Sequence, residues 1–243
     1  MSKTYEALKK AEALREQERS EQLYEAPWPT PQIPLHGADD SYELRRSLLG
    51  SAVGDTVKTI LVISSLHGEG TSSVASVLAK AIADAGRSHS LLVDLNLRTP
   101  SLWRLMNATG QHGFMNVIAD TKRIDEVIQP TEFEGVSVIT AGTGRLNAVD
   151  VVDNERTLEL VSGLSRLADV VFIDGPPVTL YPDSRALAPL VDGVIMVVEA
   201  DTTPVGVASK ASEIIRETGA NILGAVLNKT RHYIPERLAR IIG

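Results

Sequence analysis

The sequence predicts an α/β fold built around a doubly wound, mainly parallel sheet. Three observations favour it: short apolar segments rich in β-branched residues, amphipathic segments at helical spacing between them, and a chain of 243 residues of which 43% are hydrophobic. Strands that are apolar along their whole length are typical of parallel sheets covered by helices on both faces. The alternation of strand and helix then implies right-handed crossovers and a doubly wound arrangement.

Six segments have the length and composition of buried strands. In chain order they read TILVIS, HSLLVD, VSVIT, DVVFID, GVIMVV and NILGAVL. Because almost every position in these segments is apolar, we expect helices to cover both faces of the sheet that they form.

Three helices are predicted between these strands from the spacing of their apolar residues. The apolar face of the first is formed by Val74, Val77, Leu78, Ala81 and Ile82. This helix is expected to stop at Gly86, since glycine commonly ends helices. The apolar residues of the second are Leu160, Val161, Leu164 and Leu167. The third is expected to have Pro204 in its first turn and to end at Gly219.

The beginning of the chain differs from the rest, so three regions are predicted. Residues 1–24 are rich in charged residues and alanine, and form either a helix with a narrow apolar stripe or a solvated tail. Residues 25–40 contain four prolines, which favour an extended linker. Residues 41–243 are predicted to form the α/β domain.

Composition and charge exclude several classes of function. The formal charge of −7 and the aromatic content of 4% argue against nucleic acid as a partner. The absence of cysteine excludes disulfides, thiolate metal sites and thiol catalysis, and it fits a reducing compartment. The sequence contains no apolar run of membrane-spanning length and no recognisable signal peptide, so a cytoplasmic location is expected.

The segment after the first strand is a candidate phosphate-binding loop. It reads SSLHGEGTSS over residues 64–73 and leads directly into the first predicted helix. Glycines let a backbone approach a ligand closely, and a helix N-terminus offers free N–H groups and a partial positive charge. The predicted phosphate-binding residues are Gly68, Glu69, Gly70, Thr71, Ser72 and Ser73. The alternative is a tight turn in which the hydroxyl residues cap the helix.

Two aspartates end other strands at the same edge of the predicted sheet. Asp94 closes the second strand and Asp174 the fourth. Carboxylates facing a phosphate-binding loop would repel its ligand unless a Mg²⁺ ion lies between them, and the hydroxyl of Ser72 is placed to join that ion. The alternative role of each aspartate is a turn or helix cap. Asn228, at the end of the last strand, either reads a purine base or caps a turn.

Three motifs together resemble the bacterial tyrosine autokinases of capsule and exopolysaccharide biosynthesis and export, which are P-loop ATPases related to partition and division ATPases. The motifs are GEG before a helix, LLVDLNLRTPSL, and VVFIDGPPV followed by Asp183. The likeness covers residues 40–243 and implies a P-loop NTPase-like fold that binds ATP or ADP with Mg²⁺. Arg45 resembles the end of an arginine-rich helix that packs such kinases into rings, which implies a homo-oligomer.

The resemblance also implies roles for single residues. The loop glycines and backbone would hold the phosphates, and Ser72 and Asp174 would hold Mg²⁺ and its waters. Asp94 would orient the attacking group, and Asn228 would face the adenine. The implied partner is a membrane-embedded polysaccharide co-polymerase, or chain-length regulator, which would bring this cytoplasmic protein to the membrane.

The sequence departs from the family pattern at three places. Thr71 stands where the family has a lysine, and Asn96 replaces the second aspartate of an Asp-x-Asp pair. These kinases usually end in a cluster of tyrosines, whereas the last stretch here contains Tyr233 alone. Because the lysine brings positive charge to the β and γ phosphates, we expect a regulatory or pseudokinase component with weakened ATP chemistry.

Three other functions stay open, and the first is a partition or division ATPase of the same fold, against which the motifs around Asp94 and Asp174 argue. An active tyrosine autokinase or ATPase would need another cation in place of the lysine, for which the candidates are His67, Arg98 and Arg145. A dinucleotide-dependent oxidoreductase would use residues 68–73 as an approximate G-x-G-x-x-G motif and Asp94 as the ribose-binding acid. Ser73 in place of the third glycine argues against that function.

Overall fold

All six predicted strands are present in the computed structural model, and a seventh strand of two residues joins them. The structure describes residues 57–86, 88–144, 148–152 and 154–230. The strands are β1 (Thr59–Ser64), β2 (Ser90–Asp94), β3 (Gln129–Pro130), β4 (Val136–Ile139), β5 (Val170–Asp174), β6 (Gly193–Glu199) and β7 (Ile222–Asn228). The predicted N-terminal helix or tail, the linker, Arg45, Arg145 and Tyr233 lie outside the described residues.

Seven α-helices connect these strands within the described ranges. They are α1 (Thr71–Gly86), α2 (Leu102–Leu105), α3 (Phe114–Ile118), α4 (Ala148–Val152), α5 (Glu155–Gly163), α6 (Asp183–Leu187) and α7 (Val205–Glu217). Three short 3₁₀ helices add single turns at Ile124–Glu126, Leu164–Arg166 and Ala188–Leu190. None of the helices in this part of the chain has the length and apolar character needed to cross a membrane.

The sheet has the predicted doubly wound, mainly parallel topology. Its strand order is β3-β4-β2-β5-β1-β6-β7, and only the β3–β4 pair is antiparallel. The connection from β1 runs toward the β3 edge of the sheet to reach β2, and the connection from β5 runs toward the β7 edge to reach β6. Ligands of open α/β sheets bind at the carboxyl edge where the connections diverge, which here lies between β1 and β5.

An apolar core lies on each face of the sheet. On one face, α1 and α2 bury residues such as Leu78 and Leu102 against Phe172 of β5. On the other face, α3, α5 and α7 bury Phe114 and Ile215 among the apolar side chains of the same strands. The predicted cover on both faces is therefore confirmed.

Two of the predicted helices differ in detail from the structure. The second ends as an α-helix at Gly163 and continues as a 3₁₀ turn to Arg166, so its last predicted apolar residues lie in or beyond that turn. Pro204 precedes α7 as its N-cap residue with an extended ψ of 136°, and does not lie in the first turn. The missed elements have two to five residues, too few to show a periodic pattern.

Gly142 is a position where this fold requires glycine. Its φ is +77°, and a Cβ placed on it would lie 2.3 Å from Asn116 Oδ1 and 2.6 Å from the backbone nitrogen of Gly113. That nitrogen donates a 2.8 Å hydrogen bond to Asn116 Oδ1, which fixes the turn before α3 against the end of β4. A side chain at residue 142 would therefore strain the backbone and separate this bonded pair.

We expect Gly142→Ala to lower the free energy of unfolding by about 2 kcal/mol or more, because it combines left-handed strain with a lost hydrogen bond. Gly163→Ala is the matched control, since Gly163 has φ −83° and ψ −15° and no atom lies within 4 Å of its Cβ position. That control should stabilise the protein by about 0.5 kcal/mol. Urea unfolding measures both; equal stability of the two variants would contradict the close contact at Gly142.

Candidate functional site

The loop between β1 and α1 has the backbone geometry of an anion cradle. Gly68 and Gly70 adopt φ values of +83° and +93°, which residues other than glycine rarely adopt. The carbonyl of Gly70 accepts the first helical hydrogen bond, 3.0 Å from the nitrogen of Val74, so α1 begins directly after the loop. The free N–H groups at the start of a 16-residue helix favour a bound anion there.

Glu69 is turned into the loop itself. Its side chain is buried, and its carboxylate accepts a 2.8 Å hydrogen bond from the N–H of Leu66 and another from the hydroxyl of Thr203. The carboxylate thus joins the loop to the segment that follows β6. The backbone of Glu69, and not its side chain, is the part of this predicted residue that is available for a phosphate.

A cavity of about 290 Å³ lies in front of the loop. Its lining residues come from the end of β1, the loop, the start of α1, the segment from β2 through α2 and the segment after β5. They are Ser64, His67, Gly68, Gly70, Thr71, Ser72, Ser73, Asn96, Thr99, Ser101, Leu105 and Pro177. Five of the six residues predicted to bind phosphate are in this set. The cavity is at the carboxyl edge between β1 and β5, as the topology requires.

Asp94 and Asp174 lie side by side behind this cavity. They are partners in the register of β2 and β5, and neither is exposed to solvent. The carboxylate of Asp94 accepts 3.0 Å hydrogen bonds from the N–H groups of Ser101 and Leu102, which begin α2. Its side chain therefore caps that helix here, as the alternative interpretation had it, and its role toward an attacking group stays a prediction.

Asp174 connects the carboxylate pair to the cavity. Its Oδ2 accepts a hydrogen bond from the hydroxyl of Ser72, whose oxygen accepts one of 2.7 Å from the hydroxyl of Ser101. The other oxygen, Oδ1, is buried with no hydrogen-bond partner among the described residues. A buried carboxylate oxygen without a donor, next to a hydroxyl that lines the cavity, fits a hard cation such as Mg²⁺.

Burial raises the pKa of both carboxyl groups. The pKa of Asp94 rises from 3.8 to about 7 because burial outweighs the hydrogen bonds from the N–H groups of Leu102, Ser101 and Asn96. The pKa of Asp174 is raised well above 3.8 by burial and then by the charge of Asp94, against the lowering effect of the Ser72 hydroxyl. Two charges are therefore unfavourable here without a cation.

The acidic groups next to such an ion would be Asp174 and its strand neighbour Asp94. The described part of the chain contains no group of three or more histidine, aspartate or glutamate side chains arranged around one metal position. Ser72 and Asp174 are the two predicted metal ligands that the structure brings together. The remaining ligands of a Mg²⁺ ion would be phosphate oxygens and water, as is common for this ion.

The sequence suggested three cations that could replace the missing lysine, and the structure places two of them. His67 lines the cavity and is exposed. Arg98 is committed elsewhere: its Nε lies 3.0 Å from Asp183 Oδ2, and its guanidinium is 4.3 Å from the centre of the Tyr181 ring. The third candidate lies outside the described residues.

Sequence reasoning missed Lys229, whose Nζ lies 2.6 Å from the carbonyl oxygen of Gly68 and 2.9 Å from Glu199 Oε2. The preceding residue, Asn228, donates from Nδ2 to the carbonyl of Glu69 at 2.8 Å. The only signal in the sequence was their place at the end of the last strand. The predicted contact of Asn228 with adenine stays a prediction, and it would use the oxygen of that side chain.

Asn96, the residue in place of the second aspartate, lies at the cavity without a charge. Its Oδ1 accepts a 3.2 Å hydrogen bond from the hydroxyl of Thr99, and its backbone N–H donates to Asp94 Oδ1 at 3.2 Å. The side chain therefore stabilises the turn after β2. Thr71, in place of the lysine, is nearly buried at the first position of α1 and also carries no charge.

Comparisons with known proteins confirm the resemblance. The ParA family model, described as NUBPL iron-transfer P-loop NTPase, matches residues 55–240. A putative tyrosine-protein kinase CapB of Staphylococcus aureus is 25% identical over 186 residues, which cover 76% of this chain and 81% of that protein. The crystal structure of the chimerical protein CapA2B2 aligns with a TM-score of 0.75 and 26% identity over 86% of this chain and 89% of the other.

A more distant solved structure shows the same fold. The septum site-determining protein MinD of Pyrococcus horikoshii, complexed with Mg-ADP, aligns with a TM-score of 0.61 and 21% identity over 76% of each chain. The predicted P-loop NTPase-like fold is confirmed by these matches. They give no support to the dinucleotide-dependent alternative, and Ser73 lies inside α1 where that motif would need a third glycine.

The raised pKa values have a consequence for stability. A carboxyl whose pKa is raised by folding stabilises the native state below its usual pKa, and it loses that contribution as the pH rises through the raised value. For Asp94 the window runs from 3.8 to about 7. The ligand-free site therefore opposes folding above neutral pH.

We expect Asp174→Asn to increase the free energy of unfolding of the ligand-free protein at pH 8, since it removes one charge of the pair. The advantage over wild type should shrink as the pH falls below about 7, where the pair takes up protons. Urea unfolding at several pH values measures the difference.

Asp192→Asn is the control, and its effect on the free energy of unfolding at pH 8 should be opposite in sign. Burial would raise the pKa of Asp192, but hydrogen bonds from the N–H groups of Lys58 and Thr59 lower it overall, so its charge supports folding above 3.8. This control should lose stability at pH 8. A loss of stability at pH 8 in Asp174→Asn as well would contradict the proposed repulsion in the pair.

Proposed function

The chain belongs to the ParA family of P-loop NTPases, and from this premise we propose that it is a nucleotide-binding, tyrosine-kinase-like component of capsule or exopolysaccharide biosynthesis with weakened phosphotransfer. One observation carries the proposal. The loop and Ser72 line the cavity, and the Ser72 hydroxyl donates to the buried Asp174 carboxylate, while the residue at the lysine position is the neutral Thr71.

Binding is assigned to groups that the cradle retains. The backbone N–H groups from Glu69 to Ser73 would hold the phosphates, because they lie at the N-terminus of α1, where N–H groups bind anions. Ser72 and Asp174 would hold Mg²⁺, which when bound supplies positive charge to the β and γ phosphates. The cation would also satisfy the buried Asp174 oxygen that has no donor among the described residues.

Weak turnover follows from the missing charge at residue 71. A preorganised group that stabilises charge in the transition state typically contributes about 3–4 kcal/mol, which corresponds to roughly 10²–10³ in rate. The hydroxyl of a threonine donates a hydrogen bond but brings no charge. Arg98 does not restore the charge in this arrangement, because it is paired with Asp183.

The partner and location in the proposal rest on the resemblance to the tyrosine kinases. The protein would act in the cytoplasm and reach the membrane by docking on a membrane-embedded polysaccharide co-polymerase. It would respond to nucleotide as a regulatory or structural component, and it would self-associate through the segment that contains Arg45. The folded unit would extend from residue 41 to residue 243.

A second function, that of an active ATPase or tyrosine autokinase, is favoured by one observation. His67 lies at the cavity and is exposed, so it is a basic side chain within the site that could face a phosphate. In that case turnover would be substantial in the unchanged protein, and His67→Ala would abolish it.

We expect Thr71→Lys to raise the rate of ATP hydrolysis by roughly 10²-fold, because it restores a charge at the β and γ phosphates. Phosphate release at saturating Mg-ATP measures the rate, and calorimetric titration with ADP measures binding. Thr71→Met is the control, since methionine adds length without charge and should leave the low rate unchanged.

Either of two results would contradict the proposal. The first is rapid hydrolysis or tyrosine autophosphorylation by the unchanged protein that Thr71→Lys does not increase, which would favour the active enzyme. The second is the absence of any ADP binding in the presence of Mg²⁺, which would remove nucleotide recognition altogether.

A further inference from the structure

Two consecutive side chains at the end of β7 hold two consecutive carbonyl groups of the phosphate loop. Asn228 Nδ2 donates to the carbonyl of Glu69 at 2.8 Å, and Lys229 Nζ donates to the carbonyl of Gly68 at 2.6 Å. The two donors are about 160 residues away from the loop in sequence, so the contact exists only because β7 lies beside β6 at the edge of the sheet.

The orientation of a carbonyl determines the orientation of the next N–H. No peptide bond in the described residues is cis, and in a trans peptide the C=O and the following N–H point in opposite directions. The contact to the Gly68 carbonyl therefore turns the N–H of Glu69 away from Lys229. The contact to the Glu69 carbonyl does the same for the N–H of Gly70, and these two groups belong to the predicted phosphate cradle.

The backbone has a positive φ at both ends of this contact, at Gly70 in the loop and at Lys229 after β7. Lys229 has a φ of +57°, a conformation that is uncommon for residues other than glycine and costs of order 1 kcal/mol or more. A Cβ on Gly70 would lie 2.2 Å from Asn228 Nδ2, so a larger residue at 70 would displace the Asn228 amide. The lack of a side chain at Gly70 and the left-handed backbone of Lys229 thus both accompany the close approach of the loop to the end of β7.

A second layer of contacts holds Lys229 and the side chain of Glu69. Glu199, at the end of β6, forms an ion pair with Lys229 in which Oε2 and Nζ are 2.9 Å apart. The backbone nitrogen of Glu199 donates to Oε1 of the buried Glu69 at 3.4 Å. The hydroxyl of Thr203 donates to the same carboxylate. The back of the loop is therefore held at several points by the ends of β6 and β7.

Lys229 does not belong to the set of residues that line the cavity. It contacts the loop from the side of β7, whereas Thr71 and Ser72 face the cavity from the start of α1. Its charge therefore does not take the place of the family lysine at the transferring phosphate.

We infer that Asn228 and Lys229 are positioning residues that fix the Gly68–Glu69 and Glu69–Gly70 peptides with their N–H groups directed toward bound phosphate, and that they thereby set the affinity for nucleotide. This inference rests on the proposed nucleotide binding and adds a role for two residues that are outside the set lining the cavity. Affinity for the phosphate chain, and not for the base, depends on these peptides.

The test compares Lys229→Met with Lys210→Met, a control on α7 whose ammonium is also exposed and paired, 3.2 Å from Glu213 Oε2. Fluorescent ADP with Mg²⁺ gives the dissociation constant and the dissociation rate, and inorganic tripolyphosphate, which has no base, competes with it. Lys229→Met should weaken both ligands by roughly tenfold or more, since it removes a charged hydrogen-bond donor. Lys210→Met should stay within about twofold of wild type.

Lys229→Arg provides a rescue, because arginine can still donate to the Gly68 carbonyl and should recover part of the affinity. The thermal unfolding midpoint of ligand-free Lys229→Met should stay close to that of wild type, which separates a positioning role from a general loss of structure.

Three results would overturn the inference. Equal affinity of Lys229→Met and wild type, or a loss for ADP without a loss for tripolyphosphate, would overturn it and leave the proposed nucleotide binding in place. A wild-type protein that binds neither probe would overturn the proposed function and this inference together.

Discussion

The candidate site depends on the placement of two buried carboxylates in register at the ends of adjacent parallel strands. Asp94 and Asp174 are partners across β2 and β5, and both are removed from water. Burial and mutual repulsion raise both pKa values, so the pair is unfavourable in its doubly charged form. The apolar cores on both faces of the sheet keep the strands in this register. A cation at the cavity would relieve the repulsion, which explains why a fold tolerates an arrangement that reduces its own stability.

In the function that we propose, binding of the phosphates and the rate of their transfer depend on different groups. Affinity for phosphate would come from backbone N–H groups, and contacts from behind the loop hold their peptides, with Lys229 and the buried Glu69 as the main supports. Rate depends on charge that faces the transferring group, and Thr71 supplies none. Such a protein would be suited to sensing a nucleotide, because it would bind the nucleotide and consume it slowly.

The sequence was sufficient for six of the seven strands in the described residues, for the position of the loop and for the positions of both aspartates, because each has a local signal. Six apolar segments of strand length and one glycine-rich turn before a helix do not depend on the rest of the chain. The contacts of Lys229, Glu69 and Arg98 could not be predicted in this way. Each of them joins residues from about 80 to about 160 positions apart in the chain, and no periodic pattern encodes such a pair. The capping role of Asp94 was weighed as an alternative, and only the geometry of α2 shows that it is used.

The most direct test of the account is a calorimetric titration of the protein with ADP at pH 7, with and without Mg²⁺, in two buffers of different ionisation enthalpy. A carboxylate pair that retains a proton until a cation arrives must release that proton when Mg²⁺ and nucleotide bind together. The account predicts tighter binding with Mg²⁺ and an enthalpy that differs between the buffers in the direction of proton release. Binding that is equally tight without Mg²⁺, with the same enthalpy in both buffers, would contradict it.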